Sequence, residues 1–350
     1  EVPIDFSQKL VVGISSRALF DLEQENEIFE KDGIEAFENF QANHLEDCLE
    51  KGVAFPFVKR LLTINKLFPE EKPVEVVLLS KNSCFTGLRV FNSIKEHGLD
   101  ITRASFVSGG DAIKFIPAFN VSLFLSMDEK DVKDGINRGF PAGLFLDGHV
   151  NDDEENELRI AFDFDGVIAG ESAEKIYQME GPEKYRQHET ELRKESLEPG
   201  PLGKFFKQLS YIQKLEENRL KTDKSYKKVL KTSIVTARNA PAHERVITTL
   251  KAWGVSVDEM LLLGGAEKAE FLAAMKPHIY FDDQARNLEH LKALRLPAVH
   301  IPFGVTNAGG TNVKTPEGVN LMKDPIPEEQ TRESSFLHFL KTSLSKQKEQ

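Results

Sequence analysis

Short apolar runs alternate with longer amphipathic stretches along most of the chain. The runs are rich in valine, isoleucine, leucine and phenylalanine, a pattern typical of parallel strands that are buried on both faces. The stretches between them, such as residues 242–253, place apolar residues at helical spacing. This alternation predicts an α/β fold with a mostly parallel sheet. The predicted strands cover residues 10–14, 74–79, 104–107, 121–125, 158–162, 232–235, 260–263, 278–281 and 298–301.

The longest interruption of this pattern, residues 171–231, is charged and mostly helical in its spacing. We expect this segment to form helices that lie outside the sheet. Its aromatic residues Tyr177, Tyr185 and Phe205 fit a packed core better than a surface on which a base could stack.

The chain also repeats itself, first with an offset of 148 residues, as between Gly33 and Gly181, and later with an offset of 156, as between Gly98 and Gly254. Chance matching of common residues is the alternative, but the order of strands, loops and helices matches as well. The repeat predicts two related α/β units, residues 1–150 (the first half) and 151–350 (the second half). The polar stretch NDDEENE at 151–157 fits a linker between them.

Length and charge narrow the classes of function. A chain of 350 residues suggests two domains. Its net charge of −11 disfavours nucleic acid or an acidic membrane surface as the main partner. Two cysteines, Cys48 and Cys84, do not make a disulfide framework, and no run approaches the roughly 18 apolar residues of a membrane span. We therefore expect a cytoplasmic protein with no membrane partner.

Two carboxylates, those of Asp163 and Asp165, directly follow the predicted strand at 158–162. Ligands in open parallel sheets bind beyond the carboxyl ends of the strands. Side chains at positions i and i+2 there can share one small site. The motif Asp163-Phe-Asp165-Gly-Val167 is therefore the first candidate for catalysis.

Three later strand ends carry chemistry that suits a phosphate and a hard cation. Mg²⁺ prefers oxygen ligands and usually keeps a substrate phosphate oxygen in its shell. Hydroxyl, amino and guanidinium groups can bind the other phosphate oxygens. Each such residue alone would more often be a surface or capping residue, but their shared position at strand ends favours one site. The residues are Thr236 and Arg238, then Lys268, then Asp282 and Asp283.

The order and spacing of these four motifs resemble those of the haloacid dehalogenase (HAD) superfamily of phosphotransferases. The resemblance implies a Rossmann-like core with a helical cap, here about residues 170–231. It implies that Asp163 is the nucleophile, which forms an aspartyl-phosphate, and that Asp165 is the general acid and base. The implied phosphate-binding residues are Thr236, Ala237, Arg238 and Lys268. The implied Mg²⁺ ligands are Asp163, the backbone carbonyl of Asp165 and Asp283, with Asp282 helping through water or Lys268.

Longer sequence segments, spread over nearly the whole chain, are similar to those of the type I cytosolic 5′-nucleotidases. This resemblance implies hydrolysis of nucleoside 5′-monophosphates, AMP-like or IMP-like, to nucleoside and phosphate. It leaves open the nucleobase preference, a regulatory nucleotide and assembly into a homo-oligomer. The segments are Ile14-Ser-Ser-Arg-Ala-Leu-Phe20, Ala54-Phe-Pro-Phe-Val-Lys59, Gly200-Pro-Leu202, Val235-Thr-Ala-Arg238 and Pro277-His-Ile-Tyr-Phe-Asp-Asp-Gln284.

The repeat places other residue types at the corresponding positions of the first half. The counterparts of Asp163, Asp165, Thr236, Lys268, Asp282 and Asp283 are, in order, Ser15, Arg17, Ser80, Ala112, Ser126 and Met127. The carboxylates are gone, and a methionine cannot replace an oxygen ligand of Mg²⁺. We expect the first half to be a catalytically inactive copy that stabilises the protein, shapes its pocket or binds a regulatory nucleotide.

Two other functions remain open from the sequence. Another HAD phosphatase, acting for example on a sugar phosphate, would share the catalytic core and differ in its cap. A non-catalytic nucleotide-binding regulator has no need of a nucleophile, so the intact Asp163, Asp165 and Lys268 argue against it.

Overall fold

Ten strands form one sheet across the described residues, which are 5–146, 152, 155–304 and 307 of this computed structural model. Nine of them match the predicted apolar runs to within about two residues at either end. The strand at 142–145 is missing from the prediction, because its four residues are few and include a glycine. The strands are β1 (Leu10–Ile14), β2 (Val74–Ser80), β3 (Arg103–Phe106), β4 (Leu123–Ser126), β5 (Ala142–Phe145), β6 (Leu158–Phe162), β7 (Leu230–Thr236), β8 (Glu259–Leu262), β9 (Ile279–Asp282) and β10 (Ala298–His300).

Helices alternate with these strands, as the sequence pattern predicts. The predicted helix at 242–253 forms within one residue of its expected bounds. Within the described part of the chain, no helix is both long enough and apolar enough to cross a membrane. The α-helices are α1 (Ser16–Leu19), α2 (Glu23–Asn43), α3 (Phe55–Leu67), α4 (Gly87–Glu96), α5 (Glu129–Asn137), α6 (Ser172–Glu191), α7 (Gly203–Thr222), α8 (His243–Trp253), α9 (Lys268–Met275) and α10 (Ala285–Ala293).

The strand order is β3-β2-β1-β4-β5-β10-β9-β6-β7-β8. Neighbouring strands within each half are parallel, whereas β5 and β10 are antiparallel and join the two halves. Read inward from either edge, the order is the third, second, first, fourth and fifth strand of that half. The predicted α/β fold with a mostly parallel sheet is confirmed.

Details of geometry recur between the halves. Helices α2 and α6 both bend sharply at a glycine, Gly33 with φ 85° and Gly181 with φ 84°. Strand β1 pairs with β2 in the same register as β6 with β7, since Leu10 faces Val74 and Leu158 faces Leu230. These correspondences support the proposed division into two related units. Most of the predicted linker at 151–157 lies outside the described residues.

Aromatic packing beneath the second half of the sheet fixes the strands that carry the candidate site. The rings of Phe162 on β6 and Phe281 on β9 stack with centroids 5.2 Å apart. Phe205 and Phe206 on α7 pack against Phe162, and all four side chains are buried. Such close packing holds neighbouring strand ends in fixed positions. The expectation that Phe205 is a core residue is confirmed.

Candidate active site

The candidate site lies at the carboxyl ends of three neighbouring strands. Strand β6 lies between β9 and β7 in the sheet, so the residues that end or follow these strands come together. Strands β7 and β8 extend the sheet on one side of β6, whereas β9 returns to the other side. Such a reversal is the topological switch point at which ligands bind in open α/β sheets. The structure thereby places Asp163, Thr236 and Asp282 at adjacent strand ends.

A buried ion-pair cluster forms the centre of the site. Lys268 Nζ lies 2.9 Å from Asp163 Oδ2 and 2.8 Å from Asp282 Oδ2. Burial alone would lower the pKa of Lys268, but the two carboxylates outweigh it and raise that pKa. Lys268 therefore remains a cation where a phosphate would need positive charge.

Asp163 is held in surroundings unlike those of a surface carboxylate. Burial raises the pKa of Asp163 to about 7, with Lys268 opposing the rise and Asp282 adding to it. The backbone amide of Phe164 donates to Asp163 Oδ1 over 2.7 Å. A strongly perturbed carboxylate in a fixed position is typical of a catalytic group or a metal ligand.

Asp282 is the acceptor for a dense set of donors. Its carboxylate accepts hydrogen bonds from the Tyr280 hydroxyl over 2.5 Å, from Lys268, from the Gln284 amide over 2.8 Å and from Asn287 Nδ2 over 3.0 Å. These bonds fix the Asp282 carboxylate, which in turn fixes the position of Lys268. Tyr280 and Asn287 escape sequence analysis, because a tyrosine inside an apolar strand and an asparagine in the following helix carry no motif signal of their own.

The residues present fit a hard divalent cation. Ligand oxygens of Asp163, Asp282 and Asp283 all lie within 4.8 Å of one another, and all three residues are buried. Gly166 makes room for this group, because a Cβ atom there would lie only 2.7 Å from Asp283 Oδ2. Its φ of +73° also favours glycine. Carboxylate oxygens are the ligands that Mg²⁺ prefers in proteins.

The Asp165 carboxylate forms a bidentate ion pair with Arg238. Arg238 Nε and Nη2 each donate to one carboxylate oxygen over 2.7 Å. Arg238 also pairs with Glu189 of α6, which in turn accepts from Arg245 Nη1 over 2.7 Å. Burial alone would raise the pKa of Glu189, but the two arginines outweigh it and lower that pKa. A fully buried carboxylate on the helical insertion is therefore linked to the candidate acid of the core.

The remaining predicted residues lie beside this pair. Thr236 is buried, and its Oγ1 accepts from the Arg238 amide over 3.2 Å. Ala237 lies between them and is exposed. The structure thus brings the eight residues selected from the sequence to one end of the sheet.

Glu189 and Arg245 are residues of the site that sequence analysis does not select. The repeat carries a signal for both, since their counterparts in the first half are Gln41 and Arg89. Arg89 Nη1 donates to Gln41 Oε1 over 3.0 Å. The contact of α2 with α4 in the first half therefore corresponds to that of α6 with α8 in the second.

The corresponding strand ends of the first half carry different contacts. Ser16 Oγ and Ser80 Oγ lie 3.1 Å apart in a buried position. Lys81 pairs with Asp128 over 2.9 Å and with Asp131 over 2.7 Å. Across the residues that the structure describes, the one group of three closely spaced metal-ligating side chains is that of the second half.

Comparison with known proteins supports the assignment that the site suggests. The 5′-nucleotidase family model matches residues 2–308, which include both halves of the sheet. Human cytosolic 5′-nucleotidase 1B is 32% identical over 295 residues, which cover 81% of this chain and 47% of that protein. The chain therefore spans about half the length of this curated relative. With its motifs, fold and family match in agreement, the chain belongs to the cytosolic 5′-nucleotidase type I family.

Proposed function

We propose that the protein is a Mg²⁺-dependent 5′-nucleotidase of the cytoplasm that hydrolyses AMP-like or IMP-like nucleoside 5′-monophosphates to nucleoside and phosphate. The observation that carries the proposal is the buried cluster of Asp163, Lys268, Asp282 and Asp283 at the switch point of the sheet. A pure nucleotide binder has no need of a buried nucleophile beside a fixed cation. Family membership favours a nucleotide as the phosphate ester.

In the first step, a carboxylate oxygen of Asp163 attacks the phosphorus atom. The bond between phosphorus and the 5′ oxygen breaks, and Asp165 donates a proton to that leaving oxygen. Lys268 and Thr236 hold the phosphoryl oxygens. The nucleoside leaves, and the phosphoryl group is bound to Asp163.

In the second step, Asp165 accepts a proton from a water molecule, whose oxygen attacks phosphorus. The acyl-phosphate bond breaks, phosphate leaves and the Asp163 carboxylate is restored. In the structure Arg238 donates to both oxygens of the Asp165 carboxylate, so Asp165 gives up at least one of these hydrogen bonds when it carries the proton.

Asp163, the backbone carbonyl of Asp165 and Asp283 would hold Mg²⁺, which supplies positive charge against the phosphoryl oxygens. Asp282 would contribute indirectly, because its carboxylate oxygens already accept hydrogen bonds from protein donors. One of these donors is Lys268, which Asp282 thereby positions. Of the expected cap at about 170–231, helix α6 would exclude bulk water from the aspartyl-phosphate, whereas α7 packs against the sheet as a core helix. The first half would be an inactive copy that supports this site or binds a regulatory nucleotide.

Phosphate release from a panel of nucleoside monophosphates and sugar phosphates, with Mg²⁺ and with EDTA, tests the proposal. We expect release from AMP or IMP with Mg²⁺ and its loss with EDTA. Release from sugar phosphates alone would replace the proposed function with that of another HAD phosphatase. No release from any substrate would favour a non-catalytic nucleotide-binding regulator.

A further inference from the structure

Helix α6 bends at Gly181, and two tyrosines on either side of the bend contact each other. Tyr177 and Tyr185 are eight residues apart and would be separated by about 12 Å along a straight helix. Gly181 bends the helix between them, and the two rings meet edge to face with centroids 5.7 Å apart. Pairs of this geometry are a favourable arrangement for aromatic rings. The bend therefore builds a small aromatic surface from a single helix.

This aromatic pair lies next to the candidate acid. The Tyr185 ring centroid is 5.8 Å from Arg238 Cζ, and Arg238 donates to both carboxylate oxygens of Asp165 over 2.7 Å. A substrate whose phosphoryl group is bound at Asp163 would extend its remaining part past Asp165 toward this pair. Asp165 and Tyr185 both contact the same guanidinium group, that of Arg238.

The surface of the pair is open to a ligand. The Tyr177 side chain is 48% exposed, so the expectation that it is a core residue is wrong. Tyr185 is half-buried, and burial raises the pKa of its hydroxyl, which stays neutral. Within the described part of the chain, neither hydroxyl donates or accepts a hydrogen bond. An exposed tyrosine ring and two hydroxyl groups that make no hydrogen bond among the described residues therefore lie together beside Arg238.

We propose that Tyr177 and Tyr185 form the surface on which the purine or pyrimidine base of the substrate stacks. The inference rests on the proposed 5′-nucleotidase function, because it supplies a place for the base of that substrate. Aromatic side chains accept any base through its ring face, and the hydroxyl groups add hydrogen bonds to ring atoms.

The first half contains an aromatic pair that corresponds to the two tyrosines but has no candidate catalytic residue beside it. Phe29 and Phe37 occupy the positions corresponding to Tyr177 and Tyr185, on either side of the bend at Gly33. Their rings also meet edge to face, 5.9 Å apart, and Phe29 is 49% exposed. Phe29 therefore shares the geometry and exposure of Tyr177 and has no candidate nucleophile beside it.

Steady-state kinetics of Tyr177→Ala, Tyr177→Phe and Phe29→Ala with AMP, together with inhibition by inorganic phosphate, test the proposal. We expect Tyr177→Ala to raise KM about tenfold, with a smaller change in kcat, because base stacking acts mainly on binding. The inhibition constant of inorganic phosphate should not change, since phosphate carries no base. Tyr177→Phe should keep most of the affinity, and Phe29→Ala should match the wild type.

Several results would overturn the stacking role. A KM for Tyr177→Ala equal to that of the wild type would do so, as would a parallel rise in the phosphate inhibition constant or an equal effect of Phe29→Ala. Calorimetric titration with adenosine measures the same contact without turnover, and equal affinities of wild type and Tyr177→Ala would contradict the proposal whatever the activity. A wild-type protein that releases no phosphate from nucleotides would instead defeat the proposed function.

Discussion

Asp282 and Asp283 are neighbours in the chain but have different surroundings. The Asp282 carboxylate accepts from Tyr280, Lys268, the Gln284 amide and Asn287, so its oxygens are committed to holding the cluster together. Asp283 Oδ2 lies where a Cβ atom on residue 166 would almost touch it. This difference favours Asp283 as the direct ligand of Mg²⁺ and Asp282 as the residue that positions Lys268.

The close approach of Gly166 to Asp283 gives the first prediction. Gly166→Ala places a methyl group 2.7 Å from Asp283 Oδ2 and displaces that carboxylate. We expect the Mg²⁺ concentration for half-maximal phosphate release to rise about tenfold or more, the scale of change typical for disturbed metal surroundings. A magnesium titration of activity measures this shift.

Gly254→Ala is the matched control for backbone strain. Gly254 also has a positive φ, of +64°, but nothing lies within 4 Å of its missing Cβ. It should keep the wild-type magnesium dependence. An unchanged dependence in Gly166→Ala, or an equal shift in Gly254→Ala, would argue against Asp283 as a ligand. The counterpart of Gly166 in the first half is Ala18, where Met127 replaces Asp283.

At the scale of elements, the bent helix α6 connects the insertion to the catalytic core. Glu189 near its end is fully buried and binds both Arg238 and Arg245. Breaking a buried ion pair leaves an uncompensated charge and is strongly destabilising. Helix α6 therefore fixes Arg238, and through it the Asp165 carboxylate, when Glu189 is in its buried position.

A double-mutant cycle tests this positioning role. Glu189→Ala should lower kcat by about 10- to 100-fold, because a misplaced Arg238 no longer orients Asp165. If Glu189 acts through Arg238, the double variant with Arg238→Ala should be little worse than either single variant. The cycle is measured as kcat and KM for phosphate release from AMP.

Gln41→Ala provides the control in the first half, where the same position contacts Arg89. It removes one buried hydrogen bond, so we expect a loss of stability of about 1 kcal/mol and no change in kcat. Additive effects of Glu189→Ala and Arg238→Ala would mean that Glu189 stabilises helix α6 without positioning Arg238.

The elements show where reasoning from sequence succeeds and where it stops. The apolar runs predict nine strands, because buried parallel strands carry the pattern on both faces. Strand β5 escapes, since Ala142-Gly143-Leu144-Phe145 is too short to stand out. Tyr177 is misjudged, because its exposure depends on the bend at Gly181, which helical periodicity cannot reveal.

Some residues of the candidate site can be predicted from the sequence and others cannot. Asp163, Thr236, Lys268 and Asp283 are predicted, because they follow recognisable strands in a known order. Glu189 and Asn287 lie outside the four motifs, and their contacts are visible only in the folded chain. For Glu189 the repeat gives a weak signal, through its counterpart Gln41.

For the whole molecule, one continuous sheet joins the half that carries the candidate site to a half without the corresponding carboxylates. The junction is the antiparallel pair of β5 and β10, in which Phe145 faces Val299 and Leu144 faces His300. The described residues lie in one compact unit. We therefore expect the halves to unfold together, so that the first half contributes directly to the stability of the active site.

Trp253 allows this coupling to be measured, because it is the one tryptophan of the chain and lies on α8 in the second half. Phe57→Ala removes a fully buried ring in the first half and should cost about 3–5 kcal/mol. We expect the unfolding transition of Trp253 fluorescence in denaturant to shift as much as in Phe205→Ala, the corresponding change in the second half. A transition that stays in place in Phe57→Ala would mean that the halves unfold independently.

If Asp163 is the nucleophile, its acyl-phosphate forms during turnover and can be trapped. Borohydride reduces an aspartyl-phosphate to homoserine, which mass spectrometry of peptides locates. We expect homoserine at position 163, dependent on both AMP and Mg²⁺, and neither modification nor turnover in Asp163→Asn. Steady phosphate release with an unmodified Asp163, or near-normal turnover by Asp163→Asn, would contradict it.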